Sequence, residues 1–250
     1  NHLSPSRHLD SVHVRVSSHA WSTTLADLNI VLTVRELRNE AAGILSIVFE
    51  RPHGFTYEPG DWMDIRFPTP EFPVGKTYSF ASAPTESELL IAFKVGVSPF
   101  KQALAAVQPG DTMLITQYGT NGFRHDRRKA SLFIAGGVGI TPFRSMLRSA
   151  LDHGGATDIE LVYLNRSNAF AFSRELDDWK IRLSGLSVHF IATADGGRLT
   201  ARSLAHLVPD IAYRRVYIAG SSAMVTATST IVRALDVKDS WIKMDSFDGY

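Results

Sequence analysis

The chain of 250 residues is 44% hydrophobic and 20% charged, and its 26 Lys+Arg against 25 Asp+Glu indicate neither disorder nor a basic nucleic-acid stripe. It has no cysteine, which excludes disulfides, thiolate metal sites, cysteine-ligated iron–sulfur clusters and thiol nucleophiles, so any redox chemistry must use a bound cofactor. No apolar run approaches the ~20 residues of a membrane span and no signal-peptide pattern opens the chain, which makes the cytoplasm the expected compartment.

With Asn1 rather than Met at its head, the chain is expected to be a processed form or a piece of something longer. Residues 1–28 read as an N-terminal extension or an extra edge strand. They hold His2, His8, His13 and His19, whose spacing fits no metal geometry, and no metal site is expected.

Residues 29–126 alternate β-branched runs with turn chemistry. Strands are predicted over Ile30 to Leu37, Ile44 to Phe49, Trp62 to Phe67, Thr77 to Ala81, Leu89 to Val95 and Met113 to Thr116, punctuated by Gly60-Asp61 and by Pro109 to Asp111. Strands at that spacing suggest a small antiparallel barrel. One helix interrupts them, because Ser98 can cap, Pro99 suits the first helical position, and Phe100, Leu104 and Val107 share a face. The basic run Arg124 to Lys129 reads as a solvated linker.

Residues 127–250 alternate apolar strands with helices. The strands are Leu132 to Ala135, Ile159 to Leu164, Val188 to Ala192, Val216 to Ala219 and Trp241 to Met244, with helices between them. That alternation predicts a doubly wound parallel sheet covered on both faces.

The first strand of this half runs into Gly136-Gly137-Val138-Gly139-Ile140-Thr141-Pro142. There Thr141 is expected to cap the following helix, with Pro142 at its first position. A glycine-rich turn at a helix start lets a phosphate approach backbone N–H groups. It departs from the ordinary dinucleotide fingerprint, since Pro142 stands where a third glycine belongs. The next strand ends at Asn165-Arg166, where an Arg instead of a carboxylate favours a 2′-phosphate, and Arg174 is placed to share it; the alternative for both is a solvent-facing arginine. In the barrel, Lys76-Thr77-Tyr78-Ser79 and the Ser98 helix start together offer a cation, an aromatic ring, hydroxyls and a second helix N-terminus.

In this order the motifs resemble those of the ferredoxin-NADP reductase superfamily, over roughly residues 29 to 250. Lys76-Thr77-Tyr78-Ser79 resembles the Arg-x-Tyr-Ser flavin motif, Gly96-Val97-Ser98 the flavin-pyrophosphate segment, and Gly136 to Pro142 the nicotinamide-nucleotide turn. Ala219-Gly220-Ser221-Ser222-Ala223-Met224 resembles the Cys-Gly-x-x-x-Met segment, and Asp245-Ser246-Phe247 the acidic-x-aromatic ending. The resemblance implies an antiparallel β-barrel that binds FAD, followed by an α/β domain that binds NADPH or NADH. In that scheme Tyr78 stacks on the flavin ring, Ser79 sits near its N5, Lys76 neutralises the pyrophosphate, and Gly137, Gly139 and Thr141 line the nicotinamide nucleotide. Phe247 or Tyr250 covers the flavin face, a packed strand end being the alternative.

Two departures stand out. Lys76 keeps the charge of the usual Arg but lacks its bidentate fork, and Ala219 stands where the family has Cys. The implied activity is hydride transfer from NADPH or NADH to FAD, followed by single-electron delivery to an external acceptor: a ferredoxin, a flavodoxin or an oxygenase component. A free-flavin or ferric reductase, and a nucleotide-binding regulatory module with a decayed flavin site, are the alternatives.

Overall fold

The computed structural model describes residues 28–154, 157–194 and 196–247. The expectations for the four early histidines and for Tyr250 lie outside these residues.

The first half is a six-stranded antiparallel sheet in the order β4-β3-β6-β1-β2-β5. Its strands are β1 (Ile30–Ala41), β2 (Ile44–Glu50), β3 (Trp62–Arg66), β4 (Lys76–Ser79), β5 (Glu88–Lys94) and β6 (Thr112–Gly119). β1 serves both sides of the sheet: Ile30 to Thr33 pair with β6 and Val34 to Ala41 with β2, with a register shift between Val34 and Glu36. Such an irregularity bends a strand and lets a sheet curl. The curl closes where the chain leaving β4 crosses to β5, the Ala81 N–H donating to the Leu90 carbonyl at 2.7 Å. Inside lie Leu32, Ile47, Phe49, Met63, Ile65, Phe80, Ile91 and Phe93. β1 runs four residues past the predicted Leu37. The apolar alternation stops there while the ladder continues through Arg38↔Ser46 and Asn39↔Leu45.

The second half is a five-stranded parallel sheet in the order β11-β10-β7-β8-β9, made of β7 (Ser131–Gly136), β8 (Ile159–Asn165), β9 (Leu186–Ala192), β10 (Arg215–Ser221) and β11 (Ile242–Phe247). The helices are α1 (Pro99–Leu104) in the barrel half, then α2 (Ile140–Asp152), α3 (Ser173–Arg182), α4 (Ala201–Leu207) and α5 (Ser222–Arg233). β7 lies between β8 and β10, so chain progression reverses beside it. A crevice at the carboxyl ends of the strands forms at such a switch point. β11 starts after the predicted Trp241, which belongs to a single 3₁₀ turn, and runs on to Phe247 in register with Ser221. None of the helices among the described residues is long and apolar enough to cross a membrane.

Two expectations are corrected. Thr141 does not cap α2: Gly139 occupies the cap, Ile140 begins the helix, and the Thr141 hydroxyl donates to the Val138 carbonyl at 3.0 Å, so Pro142 stands third rather than first. The 3₁₀ turn Gly137–Gly139 winds straight into the helix and leaves the cap position to glycine. The basic run is not simply a solvated linker either. Arg124 pairs with the buried Asp61 carboxylate and donates to the Pro59 carbonyl at 3.2 Å, while the Asp126 N–H donates to the Tyr217 hydroxyl at 3.1 Å.

One apolar cluster runs across both halves, joining Ile44, Val48, Ala81, Leu90 and Ala92 of the barrel to Phe133, Phe143, Leu147 and Tyr163 of the parallel sheet and α2. His125 sits where the chain passes between them, its ring edge-on to Phe133 and Tyr217. Burial, aided by the Arg127 charge, pushes its pKa from the ordinary 6.5 down to about 4. The folded state therefore holds a neutral ring where the unfolded chain takes up a proton. This contribution is complete above pH 6.5 and is lost as pH falls through about 4. Urea midpoints between pH 7 and 4 should decline, and His125→Phe should flatten that decline; an unchanged slope in the variant would place its origin elsewhere.

Candidate active site

The barrel closure leaves an elongated cleft of about 950 Å³ on one side of β4. This lies at the upper end of the range for ligand cavities. Its floor is Lys76 to Ser79. Register sets the side chains: Thr77 and Ser79 lie opposite Asp64 and Trp62 of β3, and Tyr78 opposite the core residue Met63. The Thr77 hydroxyl donates to Asp64 Oδ1 at 2.5 Å. Tyr78 is only 7% exposed and packs into the barrel core while still lining the cleft.

One flank is the start of α1. Ser98 caps it as expected, accepting from the Lys101 N–H at 3.4 Å, with Pro99 at the first position. Ser98, Phe100 and Lys101 line the cleft together with Glu71 and Phe72. Burial and the neighbouring Lys94 charge lower the Lys101 pKa. Gly96 lies against the Lys101 side chain, where a Cβ would sit 2.8 Å from Cδ; Val97 is 92% exposed, and neither residue lines the cleft.

The other flank is the end of β11, where Asp245, Ser246 and Phe247 face the cleft. The Asn121 amide donates to Asp245 Oδ1 at 2.9 Å. Burial raises the Asp245 pKa, and the Asn121 bond offsets part of that rise.

Asp245, Ser246 and Phe247 also pair with Ala219, Gly220 and Ser221 of β10, the strand beside the switch point. The glycine turn stands there. Gly137 has φ +54°, and its carbonyl accepts both the Ile140 N–H and the buried Tyr163 hydroxyl, the latter at 3.0 Å. Gly139 lies so close to β10 that a Cβ would fall 2.1 Å from the Ala219 carbonyl oxygen. Met224 packs between Gly136 and Gly220, its sulfur 3.0 Å from the Cβ position of either. Thr141 and Pro142 are buried behind the turn.

Arg166 is exposed at the end of β8, whereas Arg174 lines a different cleft, of about 550 Å³, with Arg38, Asn39 and Glu40 of the β1–β2 hairpin. Sequence reasoning missed Trp62, Asp64, Phe72, Phe100, Lys101 and Asn121 as cleft residues. The β3 alternation carried one usable signal: with Met63 and Ile65 facing inward, Trp62 is a large aromatic on the outer face. Among the described residues no three His, Asp or Glu side chains gather to hold a metal ion.

Comparison with known proteins agrees with this geometry. The oxidoreductase NAD-binding domain family matches residues 133–230, which carry the glycine turn and the β10–α5 segment. The ferredoxin reductase component of 3-ketosteroid-9-alpha-monooxygenase from Mycolicibacterium smegmatis is 27% identical over 230 residues, 86% of this chain and 65% of that protein. The chain is similar to members of the ferredoxin-NADP reductase superfamily. Within that superfamily, ferredoxin–NADP reductase B of Sorangium cellulosum is 35% identical over 127 residues, 48% of this chain and 51% of that one. The flavohem-like FAD/NAD-binding domain of nitric oxide dioxygenase from Vibrio cholerae shares the fold, with TM-score 0.76 and 21% identity over 88% of this chain and 99% of that one. The chain thus spans 65% and 51% of the lengths of the two curated superfamily relatives.

The two glycines of the turn should respond differently to alanine. Gly137→Ala meets nothing nearer than Asn165 Oδ1 at 4.0 Å, so its cost is the left-handed backbone alone, roughly 1 to 2 kcal/mol. Gly139→Ala collides with the β10 backbone and should exceed the ~1 to 3 kcal/mol of an ordinary overpacked site. Urea denaturation of both variants tests the order, and a milder Gly139→Ala would refute the close approach.

Proposed function

We propose that this chain is the flavin- and nucleotide-binding portion of an NAD(P)H-dependent reductase that hands electrons to a separate acceptor. The observation that carries this reading is a shared frame: the last residues of β11 line the cleft along β4 and pair with the end of β10, against which the glycine turn packs.

The cleft suits FAD by its donor set. Thr77 and Ser79 supply hydroxyls and Tyr78 a ring at one end; Lys76, Lys101 and the Ser98 segment supply positive charge for a pyrophosphate; Phe72 and Phe100 supply an apolar end for an adenine. Bound FAD supplies the exchange between two-electron chemistry with a nicotinamide and one-electron chemistry with iron–sulfur or haem acceptors. The chain's own residues position and insulate. Asp64 fixes the Thr77 hydroxyl, Phe247 limits water at the end of β11, and Asn121 holds Asp245 beside the cleft. The turn at Gly137 to Gly139 presents backbone to the nicotinamide nucleotide at the start of α2. The acceptor is proposed to be a ferredoxin, a flavodoxin or an oxygenase component, in line with the names of the relatives.

Purified protein should carry FAD, released on denaturation, and anaerobic NADPH or NADH should bleach it. Lys76→Ala should lower the flavin content, and Lys76→Arg should raise it through a second parallel hydrogen bond. FMN in the supernatant, or flavin content indifferent to both changes, would refute this assignment of the cleft.

Arg166 is proposed to meet the 2′-phosphate of NADPH, with Arg174 placed to share it. Charge-assisted bonds worth ~1.5 to 3 kcal/mol would favour NADPH over NADH by roughly ten- to a hundredfold. Arg166→Ala should raise KM for NADPH and leave NADH nearly unaffected. Equal or better efficiency of the unmodified protein with NADH overturns this role.

A further inference from the structure

Arg144 reads as one more solvent-facing charge on an amphipathic helix, yet it is 3% exposed. Its guanidinium joins three separate pieces of chain. Toward the barrel it donates to the Ala81 carbonyl at 2.8 Å and to both oxygens of Glu86 at 3.0 and 3.2 Å. Toward α3 it donates to both oxygens of Glu175 at 2.7 Å. Phe172 and Trp179 lie under it, with ring centres 5.2 and 5.6 Å from Cζ. Phe172 is held at φ 59°, where residues with a side chain rarely stand, and such a conformation persists only when its surroundings fix it.

The placement of this hub matters more than its strength. Ala81 follows Ser79 by two residues on the run that forms the cleft floor, and the next residue is gripped too, the Ser145 hydroxyl donating to the Ser82 carbonyl at 2.6 Å. Arg144 also stands little more than one helical turn from Gly139, where α2 begins. One short, rigid stretch of helix therefore links the nucleotide turn to the flavin strand. Clefts of about 390 and 550 Å³ flank the hub, and Arg144 lines both.

We infer that Arg144, with Glu86 and Glu175, is a positioning residue that fixes the barrel and the parallel-sheet half in the relative placement hydride transfer requires. The inference rests on the reductase reading above. It concerns the rate of transfer rather than affinity for either cofactor, because the hub lines neither the β4 cleft nor the glycine turn. A displacement of about 1 Å at the reacting atoms costs about a hundredfold in rate, and the hub lies close enough to both to set such a displacement.

Two measurements test it. The first is stopped-flow reduction of the flavoprotein by saturating NAD(P)H in Arg144→Lys, which keeps the charge but cannot bridge both carboxylates and Ala81, and in Glu175→Gln. Flavin content and coenzyme Kd should stay within about threefold of the unmodified protein. The limiting rate should fall about ten- to a hundredfold in Arg144→Lys and several-fold in Glu175→Gln.

The second measurement needs no cofactor. The chain has no cysteine, so Val31→Cys and Ile181→Cys, at positions 53% and 86% exposed on the two halves, give a single spin-label pair. Its distance distribution should be narrow in the otherwise unmodified chain and broader with either hub substitution. Unchanged limiting rates, or a rate loss matched by flavin loss, would overturn the inference, as would unchanged distance distributions. Should Arg144→Lys fail to fold, Glu175→Gln carries both tests. An unmodified protein that holds no flavin would defeat the reductase reading instead, and the label distances would still decide whether the hub sets the geometry.

Discussion

The architecture depends on a change of partner by one strand. From Lys76 to Ser79 the chain is bonded to β3, and two residues later it is bonded to β5. Closing the barrel this late leaves the free side of β4 without a neighbouring strand over the four residues that carry the flavin-like motif. A ligand can lie where the next strand would otherwise stand. Asp61 holds the preceding corner, accepting from the Glu58 N–H at 2.7 Å and pairing with Arg124 from the passage between the halves. The cleft is thus a product of sheet closure, and the passage segment is part of its frame.

Much of this could be read in the sequence because much of it is local. Strand alternation, the Ser98-Pro99 helix start and the strand–glycine–helix order depend on near neighbours, and the structure contains them. What could not be read depends on contacts between distant residues. Ser98 caps through a side chain three residues from its partner, whereas the Thr141 hydroxyl is diverted to the Val138 carbonyl because the 3₁₀ turn already fills the cap. Arg144 and Ser145 are polar residues buried on α2 because they bond to the barrel at Ala81, Ser82 and Glu86. Asn121 joined to Asp245, 124 positions away, has no sequence signature at all. The motif order pointed to the site; the side chains that shape its walls came from topology.

The nucleotide crevice shows how little of such a site need be chemically distinctive. Its parts are glycines chosen for close approach, a methionine filling the space between two of them, and a tyrosine hydroxyl bonded to a carbonyl. These groups set the shape of the backbone at the turn. Ala219, opposite Gly139, contributes its carbonyl to that packing, so the side chain at this position is free of the turn's own constraint.

The apolar cluster that crosses the seam bears on how such a protein changes over time. Ile44, Val48, Ala81, Leu90 and Ala92 contribute to the core of a sheet to which they do not belong. A barrel transplanted onto an unrelated nucleotide-binding half would bring these five side chains against a surface shaped for others. The two halves are therefore poor interchangeable modules: substitutions on one side of the seam constrain those tolerated on the other, and recombination within this fold is expected to succeed outside the seam far more often than across it.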